Sequence, residues 1–374
     1  MITIGIDASR ANVRQRTGTE WYCYHLLHQF AKLYHPTQHR VILYVKSALV
    51  EDLQDLPADW QIRILRWPPR LLWTQLRLSL ALLWPWRRPD VLFIPAHTIP
   101  VLHPQHTVYV AHDLGFEHDP QLYANSHIGG RLMHWLIKLC TFGRYGTTEL
   151  DYHRWSMRYA VAHASRIIAI SNFTKQELIS RYPSSADHIT VIHNGFDRAA
   201  FMPQHVQPVD PPYLFYVGRI EKKKNIQRLI EAWQILRERY HLPHQLWLAG
   251  NRGFGFEQFQ PPPGIKLLGY VSAAELPQLM QQAAAFIFPS NYEGFGIPVL
   301  EALASGTKVA CSNIPALREI GGLACWYFDQ HDAAAMAQVI AECLQADRRP
   351  AQLDEFSWER CGQETWQVLL GQVH

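Results

Sequence analysis

Residues 284–306 read AAFIFPSNYEGFGIPVLEALASG. An apolar run ends at Pro289 and Ser290, a loop with two glycines follows, and a helical pattern runs from Pro298 to Gly306. Proline suits the first turn of a helix, where a missing N–H costs nothing, and glycine is a natural left-handed stop. Strand, glycine loop and helix make one βα unit, the building block of a parallel sheet. Gly294, Phe295, Gly296 and Ile297 lie at the expected helix N-terminus, where amides lack intrahelical partners and the dipole is positive. Glycines there let a ligand come close to the backbone, so the stretch is suited to an anion. Glu293 falls in the loop and Glu301 in the first turn of the expected helix. The two carboxylates can then accept hydrogen bonds from hydroxyl pairs at opposite ends of one extended ligand such as a nucleoside or a hexose. The plainer alternative makes Glu301 a partner of the helix dipole and Glu293 a solvated charge.

The same unit recurs along the chain. ITIGID, RVILYV, VLFIP, TVYVAHD, RIIAIS and ITVIHNG read as strands in the first half, and YLFYVGRI, QLWLAG, IKLLGYV, AAFIFPS, KVACS and ACWYF in the second. Several are apolar at consecutive positions, as strands covered on both faces must be. Between the two sets stands FMPQHVQPVDPPY, with four prolines and no apolar period, which reads as a linker. At 374 residues and 48% hydrophobic content the chain suits two cores. The expectation is an α/β protein of two doubly wound domains, 1–200 and 211–356, facing across a deep cleft.

Composition narrows the function. A formal charge of +3 nominates no nucleic-acid partner. Cys23, Cys140, Cys311, Cys325, Cys343 and Cys361 are scattered without a CxxC pair, which argues for buried thiols in a reducing compartment and against a zinc site. The opening MITIGIDASR has no basic region and no cleavage site, so a cytoplasmic location is expected. LLWTQLRLSLALLWPWRRPD is broken by Arg77 and Pro85 before it could span a bilayer. Its leucines and tryptophans, beside Arg70, Arg87 and Arg88, suit either a helix packed on a sheet or an element resting on the inner leaflet of the plasma membrane. The stretch from Asn125 to Trp155 reads either as an insertion at the cleft or as a core helix with a long connector.

Ligands of open α/β sheets bind beyond the carboxyl ends of the strands. The residues to inspect are therefore Gly18, His112 and Asp113, Ser171, Asn194 and Gly195, Gly218 and Arg219, Gly250, and Glu293. In VGRIEKKKNIQRLIEAW a strand ends at Gly218, and Arg219 and Lys224 flank a turn into a helix near Asn225. Two cations there could neutralise a diphosphate, while Lys222 and Lys223 read as a solvated run. A histidine at a strand end, such as His112, is commonly a structural hydrogen-bonder, and a short carboxylate such as Asp113 commonly supports its own loop.

Taken together these residues resemble the retaining glycosyltransferases of family 4, which have the GT-B architecture of two Rossmann-like domains. Glu293 and Glu301 match the family's pair of glutamates with seven residues between them, and Arg219 with Lys224 matches its arginine and lysine. AHDL, AISNFTKQEL and VIHNGFD are similar to the family's first-domain elements. RQRTGTEWY stands where the family has a glycine-rich turn, with Gly18 its one glycine. FSWERCGQETWQVL is similar to a terminal helix, 357–374, that returns to the first domain. The resemblance implies transfer of a hexose, with retention, from a nucleotide diphosphate sugar to the hydroxyl of a saccharide or lipid-linked saccharide. GDP-mannose is the favoured donor, with UDP and dTDP sugars behind it. It implies that Glu293, His112, Arg219 and Lys224 carry catalysis, with Gly18, Gly218, Gly250, Val271, Gly294, Phe295, Gly296, Ile297 and Glu301 on the donor. No metal and no cofactor are implied, because two cations stand where a divalent ion would serve.

Other classes fit less well. A nicotinamide enzyme would open a half with GxGxxG, which neither half has. A periplasmic-type binding protein would need an export signal and has no use for the cation pair. A silent scaffold at the membrane would not need Glu293, Arg219 and Lys224.

Overall fold

The computed structural model describes residues 1–67, 73–118, 120–121, 148–203, 206–207 and 209–373. These form two compact units, one of residues 1–194 with 358–374 and one of 195–357.

The first unit is built on a parallel sheet in the order β3-β2-β1-β4-β5-β6-β7. Its strands are β1 (Ile2–Asp7), β2 (His39–Val45), β3 (Gln61–Ile64), β4 (Val91–Ile94), β5 (His106–Ala111), β6 (Arg166–Ala169) and β7 (Ile189–Val191). The six anticipated apolar runs all pair here. β3 lacks such a run because it is an edge strand with three of its four residues exposed. The long helices are α1 (Gly18–Leu33), α2 (Glu149–His163) and α3 (Asn172–Arg181). α2 opens on a capping box, with the Thr148 hydroxyl accepting from the Asp151 amide at 3.1 Å. The earlier part of the 125–155 stretch, residues 125–147, lies outside the described residues, so neither reading of it is addressed; Cys140 and Arg70 lie outside them as well.

The second unit carries a parallel sheet in the order β10-β9-β8-β11-β12-β13. Its strands are β8 (Tyr213–Val217), β9 (Gln245–Ala249), β10 (Ile265–Gly269), β11 (Ala285–Phe288), β12 (Val309–Ser312) and β13 (Trp326–Phe328). Its helices of seven or more residues are α4 (Ile226–Glu238), α5 (Leu276–Gln282), α6 (Ile297–Ala304), α7 (Pro315–Gly321) and α8 (Ala333–Gln345). β8 and β11 are buried on almost every position, which their unbroken apolar runs require.

The final helix, α9 (Trp358–Leu370), belongs to the first unit and packs on α1. Trp358, Cys361, Trp366 and Leu369 recur on one face of it and are buried. A Cβ on Gly362 would come within 2.4 Å of Gln29 Cβ, so this glycine is what lets the two helices touch. Trp366 packs on Phe30 at 5.1 Å between ring centroids, and burying two such side chains contributes roughly 3–6 kcal/mol.

Two expectations about connecting segments change. The division falls between Asn194 and Gly195, ahead of the proline-rich stretch. That stretch is tied to the second unit, where Gln281 Nε2 donates to the Met202 carbonyl at 3.0 Å and Gln282 Nε2 to that of Gln207 at 3.3 Å. The leucine- and tryptophan-rich segment is a helix packed on the sheet over part of its length only. It runs as a π-helical turn at 73–78 continued by a short α-helix at 79–81, and then a 3₁₀ turn at 85–87 that opens on Pro85. Trp73, Leu78 and Leu82 enter the core, while Leu76, Leu80, Leu83, Trp84 and Trp86 stay exposed. Among the described residues no helix is long and apolar enough to cross a membrane.

Candidate functional site

In the second sheet the strand order reverses between β8 and β11, and a crevice at such a switch point is where ligands of this sheet type bind. The two loops leaving those strands carry the residues singled out from sequence. After β8 come Gly218, Arg219 and a 3₁₀ turn over Lys222–Lys224, then Asn225 in the left-handed region before α4. Asn225 is held there by its side-chain amide, which donates to the Gln330 carbonyl at 2.7 Å. After β11 the loop Pro289–Gly296 leads into α6. The Asn291 amide donates to the Lys223 carbonyl at 3.4 Å, fastening one loop to the other.

This fastening brings Lys224 and Glu293 together: Nζ lies 2.5 Å from Oε1, with both side chains under a fifth exposed. An ammonium has three donors, so one bond to Glu293 aims the lysine and leaves two for a ligand. Arg219 is not part of this contact. Its side chain is mostly exposed and its guanidinium lies 3.6 Å from Glu221. Beneath the turn the Tyr216 hydroxyl donates to the Arg219 carbonyl at 3.0 Å. Burial, with Glu293 and Glu221 adding, holds that phenol well above its usual range.

The glycines divide by role. Gly250, after β9, has φ +132°, and a Cβ there would sit 1.9 Å from the Gly218 carbonyl oxygen. The exits of β8 and β9 touch, so this glycine serves the fold in the first place. Gly296 caps α6 with φ +119°. Phe295 is buried, its ring 5.9 Å from that of Phe356, so only its backbone is available to a ligand. Gly294 is buried and Ile297, the first residue of α6, is half-buried. Val271 follows β10, an edge strand two places away from β8.

Glu301 corrects the sequence reading. α6 begins at Ile297, which puts Glu301 in the second turn rather than the first. That weakens the dipole explanation, since the effect fades beyond the first turn. Burial, with the like charge of Asp197 adding, pushes its carboxyl up to about 8. A carboxyl in this position needs a partner that offers hydrogen-bond donors.

In the first unit, His112 follows β5. Its Nε2 donates to the Pro95 carbonyl at 3.0 Å, its ring stands edge-on to Tyr22 at 4.9 Å, and burial lowers its pKa. Asp113 supports its loop by accepting from the Gly115 amide at 2.8 Å. Ser171 caps α3 by accepting from the Thr174 amide. Gly18 is the first residue of α1 instead of a loop glycine, and a Cβ there would meet nothing within 4 Å. No close approach requires a glycine at that position.

Three residues of the second unit were missed in the sequence. Ser290 Oγ and Asn291 Oδ1 are buried, and among the described residues they have no hydrogen-bond partner. Both directly follow β11, and that position was the available signal. Glu221, an eighth exposed, gathers Arg219 and Lys223. Among the described residues no three His, Cys, Asp or Glu side chains converge as metal ligands would.

Comparison with known proteins gives these features a setting. The model for glycosyl transferases group 1 matches residues 197–359, and that for glycosyltransferase family 4 matches residues 16–200. The chain is 30% identical over 306 residues to an O-antigen chain mannosyltransferase B of Escherichia coli, covering 74% of this chain and 80% of that protein. It is 28% identical over 175 residues to the O-antigen chain mannosyltransferase RfbU of Salmonella typhimurium, covering 45% of this chain and 48% of that one. Among solved structures, a sucrose-phosphate synthase from Thermosynechococcus elongatus superimposes with a TM-score of 0.65 at 17% identity, over 100% of this chain and 95% of that one. That likeness shows a shared GT-B fold.

Proposed function

The chain belongs to glycosyltransferase family 4, and from that premise we propose that it moves a hexose, with mannose favoured, from a nucleotide diphosphate sugar to a saccharide hydroxyl in the synthesis of a surface polysaccharide. The observation that carries this reading is the Lys224–Glu293 pair at the switch point of the second sheet, one loop away from the α6 N-terminus. The preference for mannose is supported by the two relatives named as mannosyltransferases, and the choice of GDP by the sequence resemblance alone.

In this reading Lys224 and the positive end of α6 stabilise the diphosphate as it departs, where charge grows in the transition state. Arg219 swings from Glu221 to join them. Glu293 accepts hydrogen bonds from the sugar hydroxyls, and Glu301 holds the ribose diol. The bond from the anomeric carbon to the phosphate oxygen breaks while the acceptor oxygen bonds on the same face. The acceptor proton passes to the departing phosphate oxygen, and configuration is retained. This route needs no enzymic nucleophile and no metal.

A lipid-linked acceptor is supported by the surface of the first unit. Between Asp59 and Asp90 the chain has six arginines and no acidic residue, and Leu80, Trp84 and Trp86 stand exposed among them. Such a surface suits an anionic leaflet.

The test is a mass-spectrometric screen for nucleoside diphosphate released from GDP-mannose, UDP-glucose, UDP-N-acetylglucosamine and dTDP-rhamnose, run with a mixed saccharide acceptor pool and with Glu293→Gln alongside. Release from one donor, lost in the variant, is expected. Equal release by wild type and variant would refute the assignment of the site.

A further inference from the structure

The first sheet has its own switch point, between β1 and β4. A histidine follows β4 as well as β5. His97 Nε2 lies 2.9 Å from His153 Nδ1, and His153 Nε2 lies 3.7 Å from Glu149 Oε1. The Phe116 ring stacks on that of His153 at 5.5 Å and 18°. The Glu149 carboxylate biases the protons in this chain. At 3.7 Å it is an ion-pair neighbour of His153 Nε2 and not a hydrogen-bond partner, and its charge favours the proton of neutral His153 on that nitrogen. In this tautomer Nδ1 of His153 accepts from Nε2–H of His97, and the bare nitrogen of His97 is Nδ1. His112 reaches the same state independently, because its Nε2–H donates to the Pro95 carbonyl.

Among the described residues nothing bonds the Nδ1 of either ring. Neighbouring polar groups are satisfied internally: Thr98 Oγ1 meets Ser156 Oγ at 3.3 Å, and Gln75 Nε2 donates to the Tyr152 hydroxyl at 2.6 Å. Burial is the main reason that all three imidazoles resist protonation. Arg10 opposes their charging as well, while Glu149 on His153, and Asp113 and Glu20 on His112, work the other way. The site therefore offers two neutral acceptors, with the carboxylates of Glu149 and Asp113 close by. A phosphate or carboxylate has no proton to give them, whereas a sugar hydroxyl does.

We propose that the exits of β4 and β5 form a subsite for the hydroxyls of a neutral saccharide, in which Nδ1 of His97 and Nδ1 of His112 accept hydrogen bonds. His153 and Glu149 are positioning residues that hold His97 in the accepting tautomer. This rests on the reading of the chain as a sugar transferase and names the part that grips the acceptor.

The experiment uses the full chain and α-mannobiose as the probe. Nitrogen-15 NMR at pH 7.5 is expected to show His97 with Nε2 protonated and Nδ1 bare. Saturation-transfer NMR should detect the disaccharide on the wild type and lose it with His97→Phe. His153→Gln should weaken it about tenfold, the worth of one well-placed hydrogen bond. In turnover the same variants should raise the saccharide KM without moving the donor KM, the signature of lost uniform binding. Whichever of GDP, UDP or dTDP the wild type binds should bind both variants equally, which certifies their fold. Protonated Nδ1 on His97, or unchanged disaccharide binding in both variants, overturns the proposal. A wild type that releases nucleoside diphosphate but binds no disaccharide overturns the subsite and spares the transferase. One that binds neither nucleotide nor disaccharide overturns both.

Discussion

Replacing Glu301 by glutamine gives a pH-dependent result whose sign follows from the structure. Burial first, and Asp197 second, raise this carboxyl from an ordinary 4.5 to about 8. Between those values the native state holds a proton that the unfolded chain has released. Stability therefore falls as pH rises through the window, and levels off above about 8. A shift of that size corresponds to roughly 5 kcal/mol across the whole window. Glutamine imitates the neutral acid and cannot ionise, so its advantage over wild type should be near zero at pH 4.5 and reach a few kcal/mol at pH 8.5. Urea denaturation of the ligand-free proteins at half-unit pH steps would measure it. A second readout comes from binding: if a ribose diol donates two hydrogen bonds to a carboxylate here, nucleotide binding at pH 7 must release a proton. Titration calorimetry in two buffers of different ionisation enthalpy would detect that release, and Glu301→Gln should abolish it. A wild-type stability parallel to that of the variant from pH 5 to 8.5 would refute the burial argument.

Lys224→Ala should lower kcat by about 10²–10³, the worth of one preorganised charge on a departing group, with little change in donor KM; unchanged turnover would mean that the diphosphate lies elsewhere. Gly250→Ala should destabilise the second unit by at least ~2–3 kcal/mol, because φ is +132° and the Gly218 oxygen occupies the new Cβ position; an unchanged melting midpoint would show that the strand exits do not touch. Trp84→Ala combined with Trp86→Ala should reduce sedimentation with phosphatidylglycerol vesicles at low salt, as should raising the salt for wild type; a wild type that never sediments would remove the membrane from the reading.

The strands were legible where burial on both faces forces an unbroken apolar run, as in VLFI of β4 and AFIF of β11. β3 was not legible, because an edge strand with Gln61, Ile62 and Ile64 exposed carries no such constraint. Lys224 and Glu293 could be named because each sits beside a strand exit, yet their contact depends on Asn291 bonding to Lys223, and no local pattern encodes that bond. Glu301 was placed one turn too early because Pro298 was read as marking the helix start, while the helix begins one residue before it. His97 escaped notice entirely. Its role depends on His153, which comes from α2 more than fifty residues away, and a lone histidine after a strand announces nothing.

The two switch points differ in a way that favours a division of labour over two copies of one site. In the second sheet the strand exits carry a lysine–glutamate pair, a nearby arginine and a helix N-terminus, groups that gain most from a ligand whose charge increases during reaction. In the first sheet they carry imidazoles that burial holds neutral, His112 donating to Pro95 and His97 paired with His153. A charged leaving group gains little from neutral imidazoles, and a neutral sugar has no need of Lys224. If both units served the nucleotide, reversing the charge of Lys224 and removing the acceptor nitrogen of His97 would impair the same binding step. If each serves one substrate, Lys224→Glu should act on the donor and His97→Phe on the saccharide, with additive effects in the double variant. Strong non-additivity would show instead that both sites act on one ligand.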